Sequence, residues 1–340
     1  MSTPPESLPQ GALWLSGRDV EHLLDMRDAV AQVQQAFLAD FEGRAANHPR
    51  VRLRVPETAR AREATDLRAM LHVLPATLSA REVLGVKTYL SSARGATFVV
   101  VLFHARRGLL AVIEADRLGQ MRTGAASGVA TRFMAREDAS VAAIIGTGWQ
   151  ARAQVEAVCA VRPIREVRVY GRNDEKRSTF CRDLAERLDI SVLPAADPQE
   201  AVRGAHVVIT ATTSARPVLL GEWLEPGMHV NAVGSNAANR QELDARAVMR
   251  AHAIVVDDRD QARVECGDLV ALVQEGRLSW EAISTLAEVV GGRTRPRQSP
   301  DDVTLFESQG LATEDLALAA LCYERALERG AGTPLPCTET

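Results

Sequence analysis

Aromatic side chains, cysteines and long apolar runs are all scarce in this sequence of 340 residues. Aromatic residues make up 4% of the chain, too few for a surface that stacks nucleic-acid bases. The five cysteines are odd in number and include no Cys-x-x-Cys pair, which favours reduced thiols. The longest apolar runs are too short to cross a bilayer, and residues 1–10 do not have the layout of a signal peptide. We therefore expect a cytoplasmic protein that does not bind membranes.

An excess of positive charge is also lacking. The chain carries 40 Lys and Arg against 44 Asp and Glu, a net charge of −4. This balance argues against a dedicated nucleic-acid-binding protein. Arginine is nevertheless concentrated between Arg44 and Arg68, where seven arginines accompany three acidic residues. Such a segment fits either a small anionic ligand or a solvated surface, and from composition alone the solvated surface is the favoured interpretation.

The pattern of apolar residues divides the chain into two parts, as its length also suggests. Residues 50–113 alternate short Val- and Leu-rich strands with turns, which predicts an antiparallel or mixed sheet. Strands and helices alternate from residue 141 onward, which predicts a parallel sheet covered on both faces. A helix is expected between these parts, from Asp116 to Met134. A last amphipathic helix is expected over residues 313–329, with Thr313 as its N-cap.

A glycine-rich loop follows the first strand of the second part. The strand Val141–Ile145 leads into Gly146-Thr-Gly148-Trp149-Gln150-Ala, and a helix follows. Gly146 permits the tight turn, Gly148 lets the backbone approach a pyrophosphate, and the helix N-terminus offers free N–H groups. This arrangement predicts dinucleotide binding, with an unliganded structural turn as the alternative. Trp149 is expected either to contact the cofactor or to serve packing only.

The end of the next strand, residues 166–170, indicates which nucleotide is bound. An NAD-binding protein usually carries an acid there for the ribose 2′-hydroxyl, but this sequence continues Gly171-Arg172-Asn173. Arg172 offers a planar cation to a 2′-phosphate. We therefore predict NADP(H) as the preferred cofactor, with NAD(H) as the alternative.

Several segments, taken in order, form a recognisable series. They are Val51–Pro56, the strand around Lys87, residues 120–127, the Gly146 loop, residues 221–234, Gly267-Asp268, residues 305–310 and Glu314-Asp315. In this series the chain resembles the ornithine cyclodeaminase/mu-crystallin family over roughly residues 12–333. The resemblance implies an α/β fold in which a Rossmann dinucleotide-binding domain, residues 116–310, is inserted into a mixed α/β domain. That second domain, residues 1–115 plus 311–340, is expected to bind substrate and to form a homodimer.

By the same resemblance, three cations hold the carboxylate of an α-amino or α-imino acid beside the nicotinamide. They are Arg52, Lys87 and Arg122. Three cations that converge on one carboxylate give charge-assisted hydrogen bonds, which can be bidentate. Taken singly, each residue also fits a plain structural role: a surface arginine, a strand-end lysine and an arginine in a helix ion pair.

The resemblance also assigns residues to the cofactor site. Thr123 is expected to donate to the cofactor phosphates, and Ser308 to lie near the cofactor. Thr210 and Thr212 are expected to border the nicotinamide ribose. The complete predicted set is Thr97, Thr123, Gly146, Gly148, Trp149, Gln150, Arg172, Thr210, Thr212, Val233, Ser235, Arg240 and Ser308.

Two positions depart from the ornithine cyclodeaminases that the chain resembles. Where those enzymes have an Asp that moves protons at the amine, this chain has Asn236, which hydrogen-bonds but does not titrate near neutral pH. Where they have a Glu for the distal ammonium of ornithine, this chain has His72. Hydride delivery to a preformed C=N bond tolerates these losses best. The proton is expected from water or from His72, unless His72 is a structural residue.

The sequence therefore predicts an NAD(P)H-dependent reductase of an α-imino acid, such as pyrroline-2-carboxylate or piperideine-2-carboxylate. Lys87, Asn236 and His72 are its expected catalytic residues. The alternatives are an amino-acid dehydrogenase or opine-like reductase, an ornithine cyclodeaminase, and a non-catalytic NADPH-dependent binding protein.

Two remaining groups of polar residues are expected to be inert. Asp257, Asp258 and Asp260 fit a solvated strand end better than a metal site, and no metal is predicted. Cys266 lies in a segment near the expected site, but a buried inert thiol is the favoured interpretation.

Overall fold

The computed structural model describes residues 11–56 and 67–336. The strands over these residues are β1 (Leu13–Leu15), β2 (Ala45–Asn47), β3 (Val51–Pro56), β4 (Leu67–Leu78), β5 (Val83–Ser92), β6 (Gly95–His104), β7 (Gly108–Glu114), β8 (Val141–Ile145), β9 (Glu166–Tyr170), β10 (Ser191–Pro194), β11 (Val207–Thr210), β12 (His229–Ala232), β13 (Ala253–Val256), β14 (Ser284–Thr285), β15 (Thr304–Glu307) and β16 (Thr333–Pro334). The α-helices are α1 (Gly17–Leu23), α2 (Met26–Phe41), α3 (Asp116–Met134), α4 (Trp149–Val161), α5 (Asp174–Leu188), α6 (Pro198–Val202), α7 (Ala245–Arg250), α8 (Arg259–Glu265), α9 (Gly267–Gln274), α10 (Leu286–Val290) and α11 (Ala312–Arg329). Within these two ranges, no helix combines the length and the apolar composition needed to cross a bilayer.

The first sheet is mixed. Its strand order is β16-β1-β7-β6-β5-β4-β2, and β3 also pairs with β4. The β1–β7 pair is parallel, whereas β2 to β7 otherwise pair antiparallel. Helix α11 packs against β4, β5 and β6 and also against α2 and α3. The end of the described chain therefore covers the strands formed near its beginning.

The second sheet is parallel throughout. Its order is β10-β9-β8-β11-β12-β15-β13-β14, and all its strands lie between the first and last strands of the mixed sheet in the sequence. The predicted α/β fold with one mixed and one parallel, Rossmann-like sheet is thus confirmed. The division of the chain at residues 115 and 310 stays a prediction.

Helix α3 packs unusually closely against two neighbouring helices. A Cβ atom at Gly124 would overlap the carbonyl oxygen of Ala153 on α4, and one at Gly128 would lie 2.7 Å from Val30 on α2. Glycine at these two positions therefore lets the helix backbones approach one another. The result is a buried helix that connects the two sheets and carries Arg122 into the interior.

The start of α11 differs from its prediction. Leu311 occupies the N-cap, and Thr313 is buried inside the helix. The free N–H of Ala312 is satisfied from another element, because Asn47 Oδ1 on β2 accepts from it at 2.9 Å. Thr313 as N-cap was wrong because a distant side chain performs the capping.

One face of the mixed sheet is apolar and open. Side chains alternate between the faces of a strand, so the register of β3 to β6 places six exposed apolar residues on the same side. They are Val51, Leu53, Val55, Leu84, Leu90 and Phe103. We call these six residues the outer face. The opposite side of the same strands is covered by α11 and the buried core.

Candidate active site

The loop between β8 and α4 leaves room for a phosphate group. Gly146 has a φ of +123°, and a Cβ atom there would overlap the carbonyl oxygen of Ala211. Gly148 is the N-cap of α4 and provides no side-chain cap. A Cβ atom at Gly148 would meet nothing within 4 Å, so space is open in front of the helix N-terminus. Free N–H groups beside open space, at the start of a helix of 13 residues, fit a dinucleotide pyrophosphate.

A cavity of about 320 Å³ lies between this loop and the mixed sheet. The predicted site residues that line it are Lys87, Arg122, Thr123, Trp149, Gln150, Val233, Asn236 and Ser308. Leu74, Tyr89 and Phe98 of the mixed sheet form an apolar part of the wall. The structure therefore brings predicted substrate residues and predicted cofactor residues together around one space.

Lys87 on β5 and Arg122 on α3 are buried and paired with carboxylates of α11. Asp315 Oδ1 accepts from Lys87 Nζ at 2.8 Å and from Arg122 Nε at 3.1 Å. Glu314 Oε2 accepts from Arg122 Nη1 at 3.0 Å. Gly119 makes room for the ammonium group, because a Cβ atom there would lie 2.7 Å from Lys87 Nζ. These contacts fix both cations at the cavity wall.

Burial and ion pairing change the acidity of these groups. Burial lowers the pKa of Lys87 to about 8, although the Asp315 carboxylate opposes this shift. Burial raises the pKa of Glu314 to about 8, against the effect of Arg122. Burial also disfavours the charged form of Arg122, but Asp315 and Glu314 outweigh it and raise the Arg122 pKa. At neutral pH the cavity therefore has two charged cations in its wall.

Arg50, rather than the predicted Arg52, lines the cavity. Arg50 Nη2 donates to the carbonyl oxygen of Gln309 at 3.1 Å, and its buried Nε has no partner among the described residues. Arg52 instead pairs with Glu265 on α8, with 2.6 Å between Nη2 and Oε1. The two arginines share a face because they are two residues apart on an extended segment. Arg50 is therefore the arginine of this segment that lines the cavity, and substrate binding by Arg52 stays a prediction.

His72 is not one of the residues that line the cavity, although it lies on the same face of the mixed sheet as Tyr89, which does. Its ring stacks on Tyr89, with the ring centroids 4.1 Å apart, and its Nε2 is 3.1 Å from Ser91 Oγ. Burial, and then the charges of Arg50 and Arg52, lower the pKa of His72 to about 4. The imidazole is therefore neutral at neutral pH and lacks the additional proton that a general acid donates. This geometry disagrees with His72 as a proton donor and agrees with the structural alternative.

Asn236 lines the cavity, whereas two predicted neighbours support it from behind. Arg240 Nη1 donates to Asn236 Oδ1 at 2.8 Å. Ser235 Oγ donates to the carbonyl oxygen of Arg240 at 3.0 Å. With its oxygen engaged, the Asn236 amide keeps its N–H₂ donors for a further partner.

Thr210 and Thr212 serve an internal carboxylate that the sequence did not reveal. Thr210 Oγ1 donates to Glu242 Oε2 at 2.8 Å. The backbone N–H groups of Thr212 and Gly234 donate to the same carboxylate, at 2.6 and 2.7 Å. Burial raises the pKa of Glu242, and these hydrogen bonds oppose that shift. The completely buried Thr210 hydroxyl therefore holds a loop together, and its place beside a nicotinamide ribose stays a prediction.

Thr97 and Arg172 lie away from the cavity. Thr97 is exposed on β6 and sits on the side of the strand opposite Phe98, which lines the cavity. Thr97 therefore does not reach the cofactor loop of its own chain, contrary to expectation. Arg172 is exposed directly after β9, the strand that neighbours β8 and its glycine loop.

Buried acids around the cavity were the feature most difficult to recognise in the sequence. Asp257 is not a solvated residue, because it is buried and its Oδ2 accepts from the Gln309 N–H at 2.7 Å. Burial raises the pKa of Asp257 to about 6. Cys266 is fully buried, and burial followed by the nearby Glu307 raises its thiol pKa well above the usual value. Within residues 11–56 and 67–336, no group of three or more His, Cys, Asp or Glu side chains is placed to hold a metal.

The parallel sheet, the glycine loop and the cation-lined cavity define a dinucleotide-binding α/β protein with a site for a small carboxylate. The chain belongs to the ornithine cyclodeaminase/mu-crystallin family, whose pattern matches residues 12–330. The resemblance seen in the sequence is thus confirmed.

Three relatives illustrate this membership. The chain is 40% identical over 227 residues to a Delta(1)-pyrroline-2-carboxylate reductase of Bacillus cereus, covering 66% of this chain and 70% of the relative. The structure is similar to that of the Delta(1)-pyrroline-2-carboxylate reductase of Thermococcus litoralis in complex with NADH and L-proline. Their TM-score is 0.88 at 34% identity, over 95% of this chain and 100% of that one. An archaeal alanine dehydrogenase dimer with bound NAD gives a TM-score of 0.86 at 33% identity, over 95% and 98% of the two chains.

Proposed function

We propose that this protein is an NAD(P)H-dependent reductase of a cyclic α-imino acid such as pyrroline-2-carboxylate or piperideine-2-carboxylate. One observation carries the proposal: Lys87 and Arg122 line the same cavity as Trp149 and Gln150 of the glycine loop. A carboxylate bound by these cations lies beside the space open to a dinucleotide. The pyrroline-2-carboxylate reductases among the relatives support this substrate class.

Substrate binding is the task of the cations. Arg50, Lys87 and Arg122 all line one cavity, and each of these side chains carries N–H donors. Charge-assisted hydrogen bonds from these groups orient the carboxylate and therefore the C=N carbon next to it. The apolar part of the wall, formed by Leu74, Tyr89 and Phe98, accommodates the substrate ring and excludes water.

The chemical step needs a hydride at carbon and a proton at nitrogen. A bound reduced nicotinamide supplies the hydride. Asn236 offers N–H₂ hydrogen-bond donors but does not release a proton near neutral pH. The His72 imidazole is neutral at that pH. An imino acid that binds as the iminium already carries the proton. Lys87 and Arg122 orient that substrate without themselves needing to donate a proton.

For the cofactor we propose a preference for NADP(H). Arg172 is exposed just after β9, and no acid occupies the end of that strand to hold a ribose 2′-hydroxyl. The two solved relatives contain NADH and NAD. A test of the preference therefore compares NADPH with NADH.

We further propose a homodimer formed through the outer face. Six exposed apolar residues on one sheet surface favour contact with another protein surface. A dimeric relative of the same fold supports a second copy of this chain as the partner.

Alanine dehydrogenase activity is the second candidate, because an archaeal alanine dehydrogenase shares the fold along almost its whole length. The decisive experiment measures NADPH and NADH oxidation with cyclic imino acids, and with 2-oxo acids plus ammonia. Turnover of pyrroline-2-carboxylate or piperideine-2-carboxylate is expected. Background rates with these compounds, together with turnover of pyruvate and ammonia, would favour the second candidate. Ammonia release from ornithine would contradict the inference from Asn236.

A further inference from the structure

Glu265 is a buried acid that the proposed reaction does not use, although it lies at the junction between the two sheets. Its side chain is 2% exposed at the end of α8. Its Oε1 lies 2.6 Å from Arg52 Nη2, and its Oε2 lies 3.6 Å from Arg50 Nη1. One carboxylate from the parallel-sheet part therefore contacts both arginines at the start of β3. This carboxylate balances the charge of two arginines, one of which lines the cavity.

The same carboxylate is also connected, through hydrogen bonds, to the segment beside Arg122. Gln261 Nε2 donates to Glu265 Oε2 at 3.1 Å and to the carbonyl oxygen of Gly310 at 2.9 Å. Gly310 in turn packs directly against Arg122, because a Cβ atom at this position would overlap Arg122 Nη1. Hydrogen bonds thus extend from Glu265 to the segment that supports a second cation of the cavity.

We propose that Glu265 is a positioning residue for substrate binding, which holds Arg50 in the cavity wall with Arg52 as a second anchor. This inference rests on the proposed function, in which Arg50 binds the substrate carboxylate. Arg50 has its other contact at the Gln309 carbonyl, so the guanidinium is held from two directions at the cavity wall. A preoriented guanidinium loses less conformational freedom when the carboxylate binds.

The test compares Glu265→Gln with Glu156→Gln. Glu156 is a matched control: it is also buried between two arginines, Arg117 at 3.6 Å and Arg187 at 3.1 Å, but it does not line the cavity. In Glu265→Gln we expect the KM for the imino acid to rise about tenfold or more, since the neutral amide no longer holds Arg50. The kcat and the KM for NADPH should stay within about threefold. Glu156→Gln should leave the imino-acid KM unchanged.

An unchanged imino-acid KM in Glu265→Gln would overturn the proposal. The proposal would also be overturned if Glu265→Gln lowered kcat and raised both KM values by similar factors, and if Glu156→Gln did the same. That result would show a merely structural role for Glu265. If Glu265→Gln does not fold, Glu265→Asp keeps the charge on a shorter side chain, and its imino-acid KM decides by the same criterion.

The kinetic comparison uses whichever carboxylate substrate the wild type turns over, so failure of the cyclic-imino-acid proposal is recognised separately. A second readout needs no turnover. Urea unfolding of Arg50→Ala, Glu265→Gln and the double variant should give non-additive midpoints, because the two side chains contact each other. If the shift in the unfolding midpoint of the double variant equals the sum of the two single shifts, Glu265 does not hold Arg50.

Discussion

Asp315 Oδ1 lies 2.8 Å from Lys87 Nζ, and both groups are buried. The same oxygen also accepts from Arg122, so one carboxylate sets the positions of two cations in the cavity wall. A substrate carboxylate that enters this site meets cations whose charge is partly balanced already. Such a site binds the substrate without leaving buried positive charge uncompensated when it is empty.

The first prediction compares Arg50, which lines the cavity, with Arg52, which does not. Arg50→Ala should raise the imino-acid KM by about 10- to 100-fold, because a buried charged hydrogen bond contributes about 1.5–3 kcal/mol. Arg52→Ala should raise it less, since Arg52 acts only through Glu265. Steady-state kinetics at saturating NADPH provide the measurement. A larger effect from Arg52→Ala would show that Arg52, and not Arg50, binds the substrate carboxylate.

The second prediction concerns pH. Burial lowers the pKa of Lys87 to about 8, so Lys87 is charged below this pH and loses its charge above it. The imino-acid kcat/KM, which reports the free enzyme, should therefore fall as pH rises through about 8. Lys87→Arg should move this decline to higher pH, because a guanidinium stays charged.

Two groups besides Lys87 titrate in the same pH range. Glu314 has a pKa of about 8, but Glu314→Gln should keep the decline in kcat/KM if Lys87 causes it. An imine nitrogen of the substrate also titrates, and it would give the same decline in Lys87→Arg as in the wild type. Loss of the decline in Glu314→Gln, or an unchanged decline in Lys87→Arg, would assign the titration to a group other than Lys87.

The third prediction separates backbone strain from loss of the site. Gly310 has a φ of +82° and Gly292 a φ of +77°, so alanine at either position should cost about 1–2 kcal/mol of stability. Only at Gly310 would the new methyl group overlap Arg122, whereas a Cβ atom at Gly292 meets nothing within 4 Å. Urea unfolding should therefore show a larger loss in Gly310→Ala, where the overlap adds to the backbone strain, and kcat/KM should fall strongly in Gly310→Ala alone. Equal activities of the two variants would contradict the packing argument.

The fourth prediction concerns assembly. Leu53 on the outer face is 56% exposed, and Leu193 on β10 of the other sheet is 47% exposed. Leu53→Glu should convert the proposed dimer to a monomer, because a charge would be buried in an apolar contact. Leu193→Glu should leave the dimer intact. Light scattering after size exclusion distinguishes the masses, and a dimer in both variants would exclude the outer face as the contact.

The fifth prediction concerns the nucleotide. Arg172→Ala should raise the KM for NADPH about tenfold and leave the KM for NADH nearly unchanged, because only NADPH has the 2′-phosphate. Arg182→Ala is the control, since Arg182 is another exposed arginine on the following helix, α5. An unchanged ratio of the two KM values in Arg172→Ala would refute the assignment.

Local patterns in the sequence were sufficient for much of the fold. The expected limits of α3 and of the strand before the glycine loop agree with the structure. Each of these elements carries its own periodicity and its own glycine signals. The alternation of strand and helix was likewise enough to indicate the parallel sheet.

The site was harder to predict because its contacts are distant in sequence. Arg50 and Arg52 share one face of an extended segment, and only the position of the cavity separates them. Glu314 and Asp315 read as favourable acids in the first turn of a helix. Their ion pairs with Arg122 span more than 190 residues, which no local pattern encodes.

The order of synthesis gives these ion pairs a further consequence. Lys87 and Arg122 leave the ribosome long before α11, which carries both of their carboxylates. Until α11 docks, the two cations have no buried counter-charge and favour water over the interior. The substrate site therefore forms late in synthesis. A nascent chain that lacks α11 has an incompletely covered core and does not bind the imino acid.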